Sequence, residues 1–304
     1  VVSAPLRAAY AECERLARRH YENFPVASRL LPARMRPHIA AIYAFARTAD
    51  DFADAPGIPD DERLRLLDEW GALLKNRDAR LFREQSAKKL SVPAFHALHH
   101  TIATCNLPIE LFEDLLSAFR QDVTKHRYAT WTDVLDYCRR SANPVGRLVL
   151  RVAGHDDPGL DHASDAVCTA LQLTNFWQDL ELDWRHGRLY VPLDDCARMG
   201  ARLEDLDARR VTPEWRATLA EMTQRTRELF DAGRFVCDAV PGRLGWELKA
   251  TWLGGRRILA KLRQGGFDVF AHRPTLGAAD VPVLLWQLAT WNEPRRDWMA
   301  SGKW

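Results

Sequence analysis

The chain has no run approaching the ~18 apolar residues that a membrane-spanning helix needs. The longest candidate, Val281 to Trp291, is broken by Pro282 and Gln287. Its first residues, Val-Val-Ser-Ala-Pro-Leu-Arg, lack an apolar core of signal-peptide length. These absences set the expectation of a soluble, cytoplasmic protein and leave peripheral attachment to the inner face of a membrane open. Cysteine is sparse and scattered, at 13, 105, 138, 168, 196 and 237. No Cys-x-x-Cys occurs, which argues against a zinc ribbon or redox pair and for free thiols in a reducing compartment. Charge of one sign is not concentrated anywhere, and the formal net charge is only +2. A dedicated nucleic-acid binder would show a basic face or tail, so no nucleic-acid partner is expected. Linkers rich in Pro, Gly or Ser, internal repeats and alternating strand patterns are also missing.

What is there is helical periodicity throughout 304 residues that are 47% hydrophobic and 28% charged. The pattern predicts helices over 3–22, across the acid-bearing stretch after Pro32, from Asp60 or Asp61 through Leu74, and from Ser91. Others begin at Asn106-Leu-Pro-Ile and at Thr130-Trp-Thr-Asp133, the latter a capping pattern for a helix running to about Val152. Long helices are predicted over 160–184, 213–240 and 243–264, with short pieces over 188–210 and a last helix over 280–292. One all-helical domain spanning residues 1–304 is the simplest account.

The stretch Ala40 to Asp54 is small and apolar and ends in Asp50, Asp51 and Asp54. Asp50 and Asp54 are four apart and share a helix face. Arg47 lies one turn before the acids and Tyr43 one turn before Arg47. Carboxylates embedded among Ala, Ile, Tyr and Phe are expected to be poorly solvated and to repel one another. A hard divalent ion with oxygen ligands would relieve that cost; an acidic helix end facing water is the bland alternative. A second cluster favours the ion. Asn175, Asp179 and Asp183 stand at i, i+4 and i+8, one turn beyond Gln172, flanked by Leu171, Leu173, Phe176, Trp177 and Leu180. If the two helices face each other, their acids form a rim for two or three Mg²⁺ ions. Such ions take one or two carboxylates, waters and substrate phosphates, which points to a diphosphate whose departure leaves a carbocation. Aromatic faces stabilise such a cation.

These residues resemble the squalene and phytoene synthase family over roughly residues 15–270. The first signature is Tyr43-Ala-Phe-Ala-Arg47-Thr-Ala-Asp50-Asp51-Phe-Ala-Asp54. The second is Gln172-Leu-Thr-Asn175-Phe-Trp-Gln178-Asp179-Leu-Glu-Leu-Asp183, followed by Gly187-Arg188-Leu-Tyr190-Val-Pro192. The resemblance implies an all-α isoprenoid synthase fold with helices around a central apolar cavity, bound Mg²⁺ and a prenyl diphosphate substrate. Within the family, His20 to Ser28, Ala46 to Asp51, Ser141 to Arg147 and Asn175 to Asp179 are most similar to the bacterial branch that forms hydroxysqualene for hopanoids. That branch ionises presqualene diphosphate, lets water capture the rearranged cation and needs no NADPH. Four departures from the condensing relatives favour it: Tyr21 and Asn23 in place of a Ser-x-Ser pattern, Gln178 in place of Arg, Asn143-Pro144 in place of Gly-x, and no C-terminal anchor.

The resemblance makes Asp50, Asp51, Asp54, Asp179 and Asp183 the expected metal ligands. It puts Phe24, Arg47, Arg188 and Tyr190 against the substrate. Tyr43, Arg47, Tyr137, Asn143, Gln172 and Asn175 are the candidate catalytic residues, with Asn143 and Gln172 positioning the quenching water. Arg47 has an alternative role as an intrahelical partner of Asp51. His96, His99 and His100 are read as a surface helix, and Arg256, Arg257, Lys261 and Arg263 as a solvated face. Trp252 is read as core before cation-facing. Trp286, Trp291, Trp298 and Trp304 would suit either a membrane interface or core packing. Other squalene-route enzymes are conceivable partners. The competing functions are a synthase of this fold that condenses two prenyl diphosphates to presqualene diphosphate, squalene or phytoene, and a non-catalytic assembly protein on the same fold.

Overall fold

The computed structural model describes residues 3–19, 30–76 and 91–291, and these are helical with no strand among them. In chain order the helices are α1 (Ala4–Arg19), α2 (Arg36–Ala53), α3 (Asp60–Lys75), α4 (Ser91–Cys105), α5 (Ile109–Thr124), α6 (Trp131–Ser141) and α7 (Asn143–Ala153). They continue as α8 (Pro158–Gln178), α9 (Leu180–Arg185), α10 (Leu193–Met199), α11 (Leu203–Asp207), α12 (Pro213–Ala239), α13 (Gly242–Gln264) and α14 (Val281–Ala289). The chain divides into two compact units, each discontinuous in sequence: residues 1–125 with 140–161, and residues 126–139 with 162–304.

In the first unit α2 is the central element. Its small residues Ala40, Ala41, Ala44, Ala49 and Ala53 are buried, and a stripe of alanines lets α1 and α4 pack close to the α2 backbone. Phe45 fills the space they leave. It meets Phe112 edge-on at 5.4 Å and Phe95 at 6.0 Å, and its carbonyl accepts from Trp70 Nε1 at 3.2 Å. One polar joint ties α1, α2 and α4: the Tyr10 hydroxyl lies 2.8 Å from His100 Nδ1, 3.2 Å from His38 Nδ1 and 2.9 Å from Thr101 Oγ1. His99 reaches the Leu74 carbonyl at 3.2 Å, while His96 is exposed. The surface-helix reading therefore holds for His96 only; His99 and His100 face inward and hold neighbouring helices.

Two helices drawn as continuous from periodicity are broken. The helix from Thr130 stops at Ser141, and α7 restarts at Asn143 with Pro144 in its first turn. Proline brings no N–H and disfavours helical backbone in the residue before it, so it suits a helix start. The predicted cap at the other end forms: Thr130 N donates to Asp133 Oδ2 at 3.0 Å, and Asp133 N to Thr130 Oγ1 at 3.2 Å. The second break falls at Asp179 (φ −102°, ψ 11°), between α8 and α9.

In the second unit α12 lies on α8. A Cβ at Gly233 would fall 2.6 Å from the Ala163 carbonyl oxygen and Val167 Cγ2, so only glycine allows that approach. Trp177 on α8 donates to Thr226 Oγ1 on α12 at 2.8 Å, and Arg225 grips buried Asp195 with both terminal nitrogens at 3.0 and 3.1 Å, joining α10 to α12. Trp252 is core, donating to the Phe230 carbonyl at 2.8 Å.

Of the basic group on α13, Arg263 is exposed as a solvated face requires, but the other three are held by acids. Arg257 and Lys261 clasp Asp280 at 2.7 and 2.5 Å, and Arg256 pairs with Asp231. With the Gly277 N–H at 2.8 Å, this clasp fixes the short turn that leads into α14. Lys261, the Gly277 amide and Arg257 hold the Asp280 carboxyl well below the usual carboxylate range.

Candidate active site

In the first motif the apolar residues of α2 turn into the core and the acids stand at the rim. Asp50 is half-buried, whereas Asp51 and Asp54 are exposed. The expectation of carboxylates embedded in an apolar surround is corrected here: one face of the helix is apolar, and the acids occupy the other. Arg47 lies among them, its terminal nitrogens 3.5 Å from Asp50 and 3.0 Å from Asp51. Its Nε is buried and has no hydrogen-bond partner. An orphaned guanidinium N–H normally costs stability, and an incoming phosphate oxygen would satisfy it. Asp54 closes the helix, its N–H donating to the Asp50 carbonyl at 3.0 Å. Tyr43, one turn up from Arg47, is half-buried on the same helix.

The second motif is shaped by the break at Asp179. Asn175, one turn earlier, donates from Nδ2 to Asp179 Oδ2 at 2.5 Å, and Asp183 N donates to the Asp179 carbonyl at 2.8 Å. The Asp183 main-chain carbonyl in turn accepts the Arg188 backbone N–H at 2.8 Å. The loop after α13 comes to the same place. Arg273 Nε donates to Asp179 Oδ1, and the Pro274 carbonyl accepts from Gln178 Nε2 at 2.6 Å. Arg273 was absent from the sequence-based site. It lies in a stretch without periodicity, and only its place in His272-Arg273-Pro274, a turn sequence carrying a lone cation, hints at a positioned side chain.

The segment 187–194 is pinned beside residues 126–129. Leu189 N donates to the His126 carbonyl and Leu193 N to that of Tyr128, both at 3.0 Å, and Arg127 covers the Trp184 ring at 4.7 Å. Tyr190 is thereby stacked on Phe176 at 3.7 Å with rings 2° from parallel, and Tyr128 and Tyr137 complete the cluster at 5.5 and 5.8 Å from Tyr190. Gln172 is half-buried on α8, and Asn143 is buried at the start of α7. The structure thus brings together the side chains of Arg47, Asp50 and Asp51; separately those of Asn175, Asp179 and Arg273, with Asp183 and Arg188 joined to them through the main chain; and separately Tyr137 and Tyr190. Phe24 lies outside the described residues.

Among the described residues no three His, Cys, Asp or Glu side chains converge as a metal-ligand group. The oxygens on offer are those of one or two carboxylates at a time, at half-buried or exposed positions. That donor set fits a hard ion that completes its shell with water and substrate phosphates, as Mg²⁺ does, and does not fit an all-protein cage.

The family model described as squalene/phytoene synthase matches residues 17–280. A hydroxysqualene synthase of Rhodopseudomonas palustris is 38% identical over 244 residues, 80% of each chain, and one of Sinorhizobium fredii is 35% identical over 248 residues, again 80% of each. Among solved structures, the squalene synthase HpnC from Alicyclobacillus acidocaldarius is 45% identical, with a TM-score of 0.78 over 88% of this chain and 97% of that one. A dehydrosqualene synthase solved with a ligand has the same TM-score at 21% identity, a likeness of fold alone.

Proposed function

The chain belongs to the squalene/phytoene synthase family, and on that premise we propose that it converts presqualene diphosphate to hydroxysqualene in squalene and hopanoid biosynthesis. The observation that carries the reading is the paired build of the two motifs. Each sets aspartates against a guanidinium, Arg47 with Asp50 and Asp51, Arg273 with Asp179. Arg47 also keeps a buried N–H without a partner. Carboxylates for a divalent ion and arginine forks for phosphate oxygens are what a diphosphate-ionising site needs.

In this reading Asp50, Asp51, Asp54, Asp179 and Asp183 would hold two or three magnesium ions, which when bound offset the charge of the departing diphosphate. Arg47 turns its fork from the aspartates to the phosphate oxygens, and Arg273 and Arg188 supply further positive charge. Asn175 fixes the rotamer of Asp179 through its amide. Tyr43 and Tyr137 present aromatic faces, and Tyr190 is locked in place by Phe176. Asn143 and Gln172 orient the water that captures the cation, so that the product is an alcohol and no reductant is consumed.

Purified protein given presqualene diphosphate and Mg²⁺ without NADPH should release hydroxysqualene. Product from farnesyl diphosphate alone would replace this reading with that of a condensing synthase. Calorimetry showing no binding of magnesium with diphosphate would favour an assembly role. Apolar substitutions of similar size at Asn143 or Gln172 should raise hydrocarbon at the expense of alcohol; an unchanged product ratio would remove those two residues from the mechanism.

A further inference from the structure

Helix α14, Val-Pro-Val-Leu-Leu-Trp-Gln-Leu-Ala, has no fully buried residue. At 100° per residue, its exposed positions Val281, Pro282, Leu285, Trp286 and Ala289 fall within one arc of about 140°. That arc contains no polar side chain. The single polar residue, Gln287, lies on the opposite, half-buried side with Val283, Leu284 and Leu288. This reverses the usual surface helix, which turns its polar face to water. The exposure is large: 50% for Val281, 60% for Leu285 and 62% for Trp286. Trp246 on α13 and Leu276 before α14 are exposed as well. Contiguous apolar surface of this kind marks a docking face.

Its neighbourhood decides the partner. Helix α13, against which α14 packs, carries Lys249 in its first half, whereas its Arg256, Arg257 and Lys261 are already held by Asp231 and Asp280. Lys249 sits between two indoles, its Nζ 5.2 Å from the Trp246 ring and 5.6 Å from that of Trp291. Indole and aliphatic side chains beside cations suit the headgroup boundary of an anionic bilayer. We propose that the exposed face of α14, with Trp246 and Lys249 beside it, docks the protein on anionic lipid. The inference extends the lipid-diphosphate reading to the surface from which such a substrate is drawn, and it rests on that reading.

The test is cosedimentation of the full chain, without substrate, with vesicles of phosphatidylcholine alone and of phosphatidylcholine mixed with phosphatidylglycerol. The wild type should pellet with the mixed vesicles and stay in the supernatant with the neutral ones. A Leu285→Ser, Trp286→Ser double variant should lose roughly tenfold or more in vesicle affinity, and Lys249→Gln about fivefold with a weaker salt dependence. Failure of the wild type to pellet, or equal binding by the double variant, overturns the proposal. So does a lipid-free dimer abolished by the same double variant, which would give the face to a second copy. If the double variant does not fold, the Lys249→Gln and salt arms decide alone. Activity on detergent-dispersed presqualene diphosphate is read separately, so lost chemistry and lost docking are distinguishable.

Discussion

Arg47 carries the sharpest consequence of any single side chain. Its fork already touches two aspartates, yet one of its N–H groups is buried without an acceptor. Arg47→Gln should lower kcat by about a hundredfold, the cost of losing one charge-stabilising donor. Arg47→Lys should recover little of that, because a point charge cannot reproduce the fork. Steady-state kinetics on presqualene diphosphate would check both. A second consequence concerns His38. Burial, with His100 beside it, pushes its pKa below the usual histidine value. The groups facing it are Tyr10 on α1 and His100 and Thr101 on α4, with Cys13 and Cys105 close to Tyr10. A depressed histidine pKa means that the unfolded chain binds the proton more readily. The joint therefore contributes fully above the unfolded pKa, and its contribution is lost as pH falls below that value. Thermal unfolding followed from neutral to mildly acid pH should show that decline, and His38→Asn should flatten it.

At the level of elements, glycine gives the clearest handle. Alanine inside a helix is normally worth up to about 1 kcal/mol over glycine. At Gly233 the sign should reverse, because the new Cβ would strike the Ala163 carbonyl and Val167. Gly233→Ala should destabilise by about 1–3 kcal/mol, measurable by denaturant titration, and should shift α12 away from the helix that carries the second motif. Gly255, crowded by Phe230 and Leu171, should behave alike. Asp280→Asn removes the charge that Arg257 and Lys261 hold, so limited proteolysis between 268 and 290 should accelerate. Most of these elements were legible in the sequence, because helix starts are written in local chemistry such as Thr130 with Asp133 and Thr212 with Pro213. The breaks at Ala142 and Asp179 were not, since apolar periodicity continues in phase across them; Pro144 was the overlooked sign of the first. The side of α2 to which its acids turn depends on packing against α1 and α4, which no spacing rule contains. Arg273 reaches Asp179 across 94 residues of sequence, through a loop whose course only the folded chain reveals.

For the whole molecule, the thiols report compactness. Cys13, Cys138, Cys196 and Cys237 are buried, and Cys105 and Cys168 are half-buried. Burial pushes Cys13, Cys196 and Cys237 up to about 12, so they are poor nucleophiles in the native state. Brief alkylation of native protein should mark Cys105 and Cys168 first, and all six only after denaturation, as mass spectrometry would show. A last consequence follows from the arginine–aspartate pairs of the two motifs. Arg47 faces Asp50 and Asp51, and Arg273 faces Asp179, so each motif offsets part of its acid charge with its own arginine. Loading such a site is an exchange of partners, with little net gain of charge contacts. Binding should then depend only gently on ionic strength, and the released diphosphate should be displaced by the protein's own aspartates reclaiming their arginines. In the diphosphate reading, turnover would end with the site resetting itself.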